Sequence, residues 1–151
     1  MGVTIRPQVG ALPVRFDEDG TLEVLLITSR RSGKWIIPKG NLMKRLAPHH
    51  AAAREAFEEA GAVGPIEGRP RGYYRHRKRK PRRQLRCRVA VYVMAVEQRL
   101  ERFPEREERA VRWFTVDDAR GVIRNRRLRE LVARVSAELV SSGRALDELF
   151  A

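Results

Sequence analysis

The sequence has little sulfur and few imidazoles: one cysteine, Cys87, and three histidines in 151 residues. A single thiol excludes an internal disulfide and a multi-cysteine metal site. The alternating apolar neighbours of Cys87 predict a small core residue rather than a nucleophile. His49, His50 and His76 are not spaced to form a zinc site with other ligands.

Long apolar runs are also absent. No stretch approaches the roughly 20 residues that span a bilayer, and the first residues lack the apolar core of a signal peptide. We therefore expect no membrane segment and a cytoplasmic location. Hydrophobic residues make up 42% and charged residues 34% of the chain, which is typical of a folded globular protein. Without repeats or low-complexity linkers, residues 1–151 are expected to form one domain.

Acidic residues are scarce relative to basic ones: 19 against 32, for a net charge of +13. Such a charge attracts polyanions, whether nucleic acid, an anionic surface or a polyphosphorylated small molecule. The basic residues are concentrated between Arg71 and Arg88, where ten of eighteen residues are Lys or Arg. Because Pro81 lies near the middle, we expect two strands joined by a basic hairpin loop. Tyr73 and Tyr74 beside the run could stack on bases.

Periodicity predicts strands, one long crossover helix, more strands and a C-terminal helix, which suit an α/β sandwich with a mixed sheet. Thr115, followed by Asp117 and Asp118, is typical of a helix start. Alternation after Leu85 places Arg86 and Arg88 on the face opposite the valines. The expected strands are Val3–Phe16, Leu22–Thr28, Trp35–Ile37, two between 71 and 94, and Ala110–Val116; Gln98–Glu108 is expected to be a polar loop, and the helices are Pro48–Ala60 and Asn125–Ser142.

The predicted helix at Pro48–Ala60 has three carboxylates within one arc of about 100°. Oxygen ligands on a rigid element suit Mg²⁺ or Mn²⁺, which can bridge phosphate oxygens. An ordinary solvated face, with Arg54 pairing locally, is the alternative. The carboxylates are Glu55, Glu58 and Glu59, and the opposite, small-residue face is Ala53, Ala56, Phe57 and Ala60.

The spacing of Gly40, Arg54-Glu55, Glu58-Glu59 and Gly61 resembles the Nudix hydrolase signature, G-x5-E-x7-R-E-U-x-E-E-x-G-U, in which U is bulky and apolar. The match covers 23 residues, from Gly40 to Ala62. It departs from the signature at Leu46, which takes the position of the first Glu, and at Ala56 and Ala62, which take the U positions. Leu46 is expected to leave Arg54 short of a partner.

The resemblance implies a Nudix-type α/β/α sandwich with a catalytic helix, and water attack at phosphorus in a pyrophosphate. Glu55 and Glu59 would bind Mg²⁺ or Mn²⁺ with the main-chain carbonyl of Lys39. Glu58 would accept the proton of the attacking water, or be a third ligand with another acid as the base. Glu107 or Glu108 is a candidate for that distant acid.

The layout of the whole chain is similar to one Nudix branch, the diphosphoinositol and dinucleoside polyphosphate phosphohydrolases. The flanking stretches Val24–Arg30, Trp35–Pro38 and Trp113–Ala119 support this likeness. It implies a polyphosphorylated small-molecule substrate, gripped by Arg side chains that bind two phosphate oxygens at once. The expected substrate-binding residues are Arg6, Thr28, Ser29, Arg30, Lys39, Gly40, Arg86 and Arg127.

Two other functions stay open. One is removal of pyrophosphate from the 5′ end of RNA, and the other is a Nudix-fold nucleic-acid-binding module with little turnover. Nucleic acid would bind through Arg71–Arg88, mainly through Arg77–Lys80, Arg82 and Arg83, whereas a compact substrate would use Arg30, Arg86 and Arg6. We expect the compact substrate, and a monomer or homodimer.

Overall fold

The computed structural model describes residues 4–80 and 83–150. Among these residues, no helix is long and apolar enough to cross a membrane. The strands are β1 Thr4–Phe16, β2 Leu22–Thr28, β3 Trp35–Ile36, β4 Lys39–Asn41, β5 Ala62–Val63, β6 Gly72–Lys80, β7 Arg83–Ala95, β8 Gln98–Arg99 and β9 Val111–Thr115; the helices are α1 Pro48–Ala60, α2 Val116–Val122 and α3 Arg126–Ser141, followed by a 3₁₀ turn at Leu146–Phe150.

The main sheet is mixed, as predicted. Its strands follow the order β3-β2-β1-β7-β6, with β4 added on β1 and β9 on β2. β1 and β7 run parallel from the Thr4–Leu85 pair to the Val14–Ala95 pair, and the other pairs are antiparallel. A parallel pair requires a long crossover, which here contains α1.

Helices cover both faces of this sheet, so the predicted α/β sandwich is confirmed. One core lies under α2 and α3 and includes Leu12, Tyr74 and Leu128. The other lies under α1 and includes Val9, Ala11 and Tyr92. The side chains of β1 alternate between the two cores because successive side chains of a strand point to opposite faces of the sheet.

The predicted limits of α1 are correct. Pro48 occupies the first turn, and Gly61 ends the helix in the left-handed conformation, with φ of 66°, which glycine adopts without strain. The predicted buried stripe is partly wrong. Ala56 and Ala60 are buried, but Ala53 and Phe57 are only half-buried. Ala51 and Ala52, which lie outside the predicted stripe, are also fully buried.

The basic segment forms two paired antiparallel strands, as predicted. β6 continues to Lys80 and β7 begins at Arg83, with Lys80 opposite Arg83 in the register. Pro81 and Arg82, which were expected in the loop, lie outside the described residues. Cys87 is buried, as predicted. The predicted polar loop at Gln98–Glu108 begins with the two-residue strand β8, which pairs with β5.

Candidate active site

The acidic face of α1 lies against β4. The Glu59 side chain is almost fully buried, at 5% exposure, and one of its oxygens accepts a hydrogen bond of 3.3 Å from the Lys39 N–H. Gly40 lies directly over the Glu55 carboxyl group, which a Cβ at that position would collide with. Glycine at position 40 therefore lets the backbone approach two adjacent carboxyl groups.

The close placement of Glu55 and Glu59 changes their proton affinity. Burial and, to a smaller extent, the hydrogen bond with Glu55 together raise the pKa of Glu59 to about 9, against the opposing effect of Arg109. Burial also raises the pKa of Glu55. Two carboxylates in so dry a place need a shared proton or a cation between them.

A buried arginine that sequence reasoning did not single out completes this site. Arg109 Nη2 lies 2.9 Å from Glu105 Oε1 and 3.9 Å from Glu59 Oε1, and its Nη1 donates to the Thr28 carbonyl at 3.1 Å. The Glu105 N–H donates to the Glu58 carbonyl at 2.9 Å. The loop before β9 is thus anchored to both α1 and β2.

Glu58 lies at the rim of the site rather than beside the other two carboxyl groups. Arg54 Nε donates to Glu58 Oε1 at 3.0 Å. The expectation that Arg54 would be short of a partner is therefore wrong, because the next turn of the helix supplies one. Leu46, in the position of the missing Glu, instead packs against the core under α1.

These acids line a cavity of about 460 Å³. Among residues 4–80 and 83–150, no three His, Cys, Asp or Glu side chains converge as a ready-made metal cluster, because Glu58 is turned toward Arg54. The donor set nevertheless fits Mg²⁺ or Mn²⁺: two neighbouring carboxyl groups and the backbone of β4 in contact with them. The cavity is lined by Gln8, Ser29, Arg30, Arg31, Ile36, Lys39, Gly40, Asn41, Glu55, Glu58, Glu59, Lys78, Glu105 and Arg109.

Four of the eight expected substrate-binding residues line this cavity: Ser29, Arg30, Lys39 and Gly40. Thr28 lies beside it, but its Oγ1 accepts the Ala110 N–H and is engaged in the fold.

The other three expected substrate-binding residues are not brought to this cavity. Arg6 is half-buried on β1 and is absent from the cavity wall. Arg86 and Arg127 line a separate cavity of about 220 Å³. Two cations that were not expected, Arg31 and Lys78, line the acid-lined cavity instead.

The two expected candidates for a distant acid, Glu107 and Glu108, are not in the cavity wall, and Glu108 forms an ion pair with Arg30 at 3.2 Å. Glu105, from the same loop, lines the cavity instead. No spacing in the sequence distinguishes these three glutamates, since they occupy an irregular loop. Their different positions relative to the cavity arise because Arg109 anchors the loop at Glu105.

A second cavity of about 590 Å³ adjoins the first and shares Lys39 and Lys78 with it. Its wall combines apolar surfaces of Trp35, Tyr74 and Leu128 with cations. The Tyr74 hydroxyl is buried and has no hydrogen-bond partner within the described parts of the chain. This cavity can accept a ligand with both a flat apolar group and anionic groups.

His76 belongs to the wall of the second cavity. Its Nε2 lies 2.9 Å from Gln8 Oε1, which can only accept, so this nitrogen donates. Burial, with smaller effects of Lys39 and Lys78, lowers the pKa of His76 to about 4. His76 is therefore neutral at physiological pH and adds a hydrogen-bonding group, not a charge.

Comparison with known proteins agrees with this geometry. A family model described as the NUDIX domain matches residues 5–135. Nudix hydrolase 4 of Arabidopsis thaliana is 31% identical over 132 residues, which cover 83% of this chain and 62% of the relative. Diphosphoinositol polyphosphate phosphohydrolase 2 of Rattus norvegicus is 39% identical over 100 residues, covering 64% of this chain and 52% of the relative. The chain thus spans about half to two thirds of these relatives.

Among solved structures, a C. elegans Ap4A hydrolase in a binary complex superposes with a TM-score of 0.68. The superposition covers 90% of this chain and 98% of that one, at 19% sequence identity. At this identity the likeness supports the fold alone.

Proposed function

This chain belongs to the Nudix family, and from that premise we propose that it is a metal-dependent hydrolase of a phosphoanhydride bond in a highly phosphorylated small molecule. The observation that carries the proposal is the pair Glu55 and Glu59, packed beneath Lys39 and Gly40 at the base of a cavity with a cationic rim. Acids at the base suit a divalent cation, and cations at the rim suit the phosphates that the cation would bridge.

We assign the metal site to Glu55, Glu59 and the main-chain carbonyl of Lys39, with Mg²⁺ or Mn²⁺ as the ion. Held by these groups, the ion would supply positive charge to offset the charge on the phosphoryl oxygens of the substrate. Glu58, oriented by Arg54 at 3.0 Å, is proposed to accept the proton of that water or to join the ligands. In the second case Glu105 is the remaining acid in the cavity.

The rest of the substrate is proposed to lie along Ser29, Arg30, Arg31 and Lys78. Arg30 pairs with Glu105 at 3.8 Å and Glu108 at 3.2 Å, so its guanidinium is already held at the cavity. Arginine there can bind two oxygens of one phosphate. Arg109 is a positioning residue in this proposal, because it fixes Glu105 and the loop.

Two substrate classes fit the relatives: diphosphoinositol polyphosphates and dinucleoside polyphosphates. The second cavity suits either class. Its wall carries six cations, which suit the phosphates of both, and the half-buried Trp35, whose ring offers an apolar group for a base. The cations are Arg31, Lys34, Lys39, Arg77, Lys78 and Arg124.

Phosphate release from a substrate panel tests the proposal. The panel contains a diphosphoinositol polyphosphate, a dinucleoside polyphosphate and 5′-triphosphorylated RNA, each with Mg²⁺, Mn²⁺ or EDTA. We expect metal-dependent release from a small polyphosphate, abolished by EDTA. Phosphate release from the RNA alone would mean that the substrate is 5′-triphosphorylated RNA rather than a small polyphosphate. No phosphate release from any member of the panel would contradict the proposed activity.

Two further predictions accompany the activity as proposals. One is a cytoplasmic location, which cell fractionation tests. The other is a monomeric or homodimeric state, which light scattering coupled to size exclusion tests.

A further inference from the structure

One face of the β6–β7 hairpin presents four arginines side by side. The antiparallel register places Arg75 opposite Arg88 and Arg77 opposite Arg86. Residues directly opposite in such a pair point to the same side, as do residues two apart along one strand. These four side chains, which we call the arginine face, therefore share one surface.

The arginine face lacks the acidic partners that several other arginines have in the described part of the chain. Within residues 4–80 and 83–150, none of its four members lies within 4.0 Å of a carboxylate, whereas Arg54, Arg71 and Arg109 do. Like charges placed directly opposite in a sheet are destabilising. The Arg86 Nε is moreover buried and has no hydrogen-bond partner among the residues that the structure describes. No carboxylate within those residues compensates the charge of this arrangement.

An exposed aromatic ring lies beside these cations. Tyr73 is 47% exposed, and the Arg88 guanidinium lies 3.9 Å from the centre of its ring. Exposed aromatic rings interleaved with cations are the usual surface for single-stranded nucleic acid, since bases stack on the ring and phosphates contact the cations. A purely phosphorylated ligand has no use for the ring.

The arginine face is distinct from the acid-lined cavity. The cavity of about 220 Å³ beside it is walled by Arg75, His76, Arg77, Arg86 and Arg127. None of these residues lines the cavity that contains Glu55 and Glu59, although His76 and Arg77 also line the second cavity. Arg127, at the start of α3, extends the cationic surface beyond the hairpin.

We propose that the arginine face, together with Tyr73, binds single-stranded nucleic acid. Arginines two apart on a strand are separated by about 6.6 Å along it, so their charge is spread over an extended surface rather than focused on one phosphate. An extended polyanion would neutralise these four charges, none of which has a carboxylate partner within residues 4–80 and 83–150. This proposal goes beyond the hydrolytic function and does not depend on it.

Fluorescence anisotropy with a labelled single-stranded RNA that has a 5′-hydroxyl group tests the proposal, because such RNA offers no pyrophosphate to hydrolyse. The test variant replaces Arg75, Arg77, Arg86 and Arg88 with Ala. Loss of four phosphate contacts should flatten the log–log salt dependence by about three units and weaken binding by about tenfold or more. The matched control replaces Arg69, Arg102, Arg120 and Arg144, four exposed arginines elsewhere, and removes the same charge.

The control variant should keep the wild-type salt dependence to within about one unit. Equal losses in the two quadruple variants would overturn the proposal, because net charge alone would then explain the binding. The arginine-face variant should also unfold at the same temperature as wild type or a higher one, since it removes repulsion between like charges. A lower unfolding temperature would show a structural role and would also overturn the proposal.

Tyr73→Ala distinguishes nucleic acid from polyanions in general. We expect several-fold weaker binding to the RNA and unchanged binding to inorganic polyphosphate, which has no bases. Equal effects on both ligands, or no effect on RNA, would contradict the assignment to nucleic acid.

Discussion

In the acid-lined cavity, charged groups have opposite charges nearby: Arg109 is 2.9 Å from Glu105, and Arg54 is 3.0 Å from Glu58. On the arginine face of β6–β7, by contrast, no member has a carboxylate within 4.0 Å in the described part of the chain. The cavity retains one local excess of negative charge, at the Glu55–Glu59 pair, and this charge is suited to a small cation. The arginine face has an excess of positive charge that is spread over two strands. This charge is suited to an extended anion. The two regions are therefore suited to different ligands.

The largest effect should come from removing the charge of Glu59. Glu59→Gln keeps the shape and the contact with Lys39 but removes a proposed metal ligand. We expect hydrolysis to fall on the order of 10²-fold or more, with RNA binding unchanged. Steady-state phosphate release measures the first effect and anisotropy the second. Glu130→Gln, at an exposed pair with Arg126, is the matched control; turnover of Glu59→Gln within threefold of this control would refute the metal assignment.

The pH dependence of folding gives a second readout of Glu59. In protein stripped of metal, Glu59 keeps its proton up to about pH 9, whereas the unfolded chain releases it near the ordinary pKa of about 4.3. The folded state thus binds more protons, so the free energy of unfolding should fall as pH rises between these values. Denaturant unfolding in EDTA should show this decline in wild type and a smaller one in Glu59→Gln. Equal declines would mean that Glu59 is already ionised.

Arg109→Ala should have the next largest effect, on stability. The Thr28 carbonyl and Glu105 would each lose a buried charged partner, at a cost of about 2–4 kcal/mol in the free energy of unfolding. Arg126→Ala, which breaks an exposed pair of the same spacing, should cost about 0.5 kcal/mol or less. Urea denaturation of both variants measures the difference. Similar values would show that the loop before β9 does not depend on Arg109.

Leu46→Glu restores the acid of the Nudix signature but is expected to destabilise the protein. Leu46 packs against the core under α1, and Arg54 already has Glu58. We expect a loss of about 1–2 kcal/mol in the free energy of unfolding and no gain in turnover. Leu42→Glu, at an exposed leucine near the same loop, should be close to neutral. Higher activity of Leu46→Glu would instead show that the signature acid still has a use here.

The smallest effect concerns the arginine face. Arg77→Glu places an acid opposite Arg86 and should raise the free energy of unfolding by about 0.2–1 kcal/mol. Arg126→Glu places an acid four residues before Glu130 on α3 and should lower it by a few tenths of a kcal/mol. Thermal unfolding compares the two variants. If Arg77→Glu destabilises the protein instead, the opposed arginines do not repel each other.

Local sequence signals were sufficient to predict much of this structure. Pro48 and Gly61 mark the ends of α1, and alternation in β7 buries Cys87, because both depend on the backbone and on neighbouring residues. The partner of Arg54 is also local, four residues away at Glu58. The family signature instead predicted an acidic partner at position 46. The contacts of Arg109 with Thr28 and Glu59 join residues 81 and 50 positions apart, and no sequence pattern encodes them.

The hairpin shows the other limit of sequence reasoning. Basic residues fill both strands and their junction, so the usual contrast between apolar and polar positions is lost near the turn. Arg86 was expected at the substrate because of a family likeness, yet it lies on the arginine face, since the register with β6 decides its surroundings. A likeness in position along the chain does not determine which cavity a long side chain reaches.

The separation of the two regions is tested most directly by hydrolysis kinetics of one small polyphosphate with two variants. Arg30→Ala removes a cation from the acid-lined cavity. A triple variant of Arg75, Arg86 and Arg88 removes three members of the arginine face and leaves Arg77, which also lines the second cavity. We predict that Arg30→Ala raises KM by about tenfold or more through lost phosphate contacts, while the triple variant stays within threefold of wild type. A triple variant that loses as much kcat/KM as Arg30→Ala would contradict the account, because the hairpin would then belong to the active site.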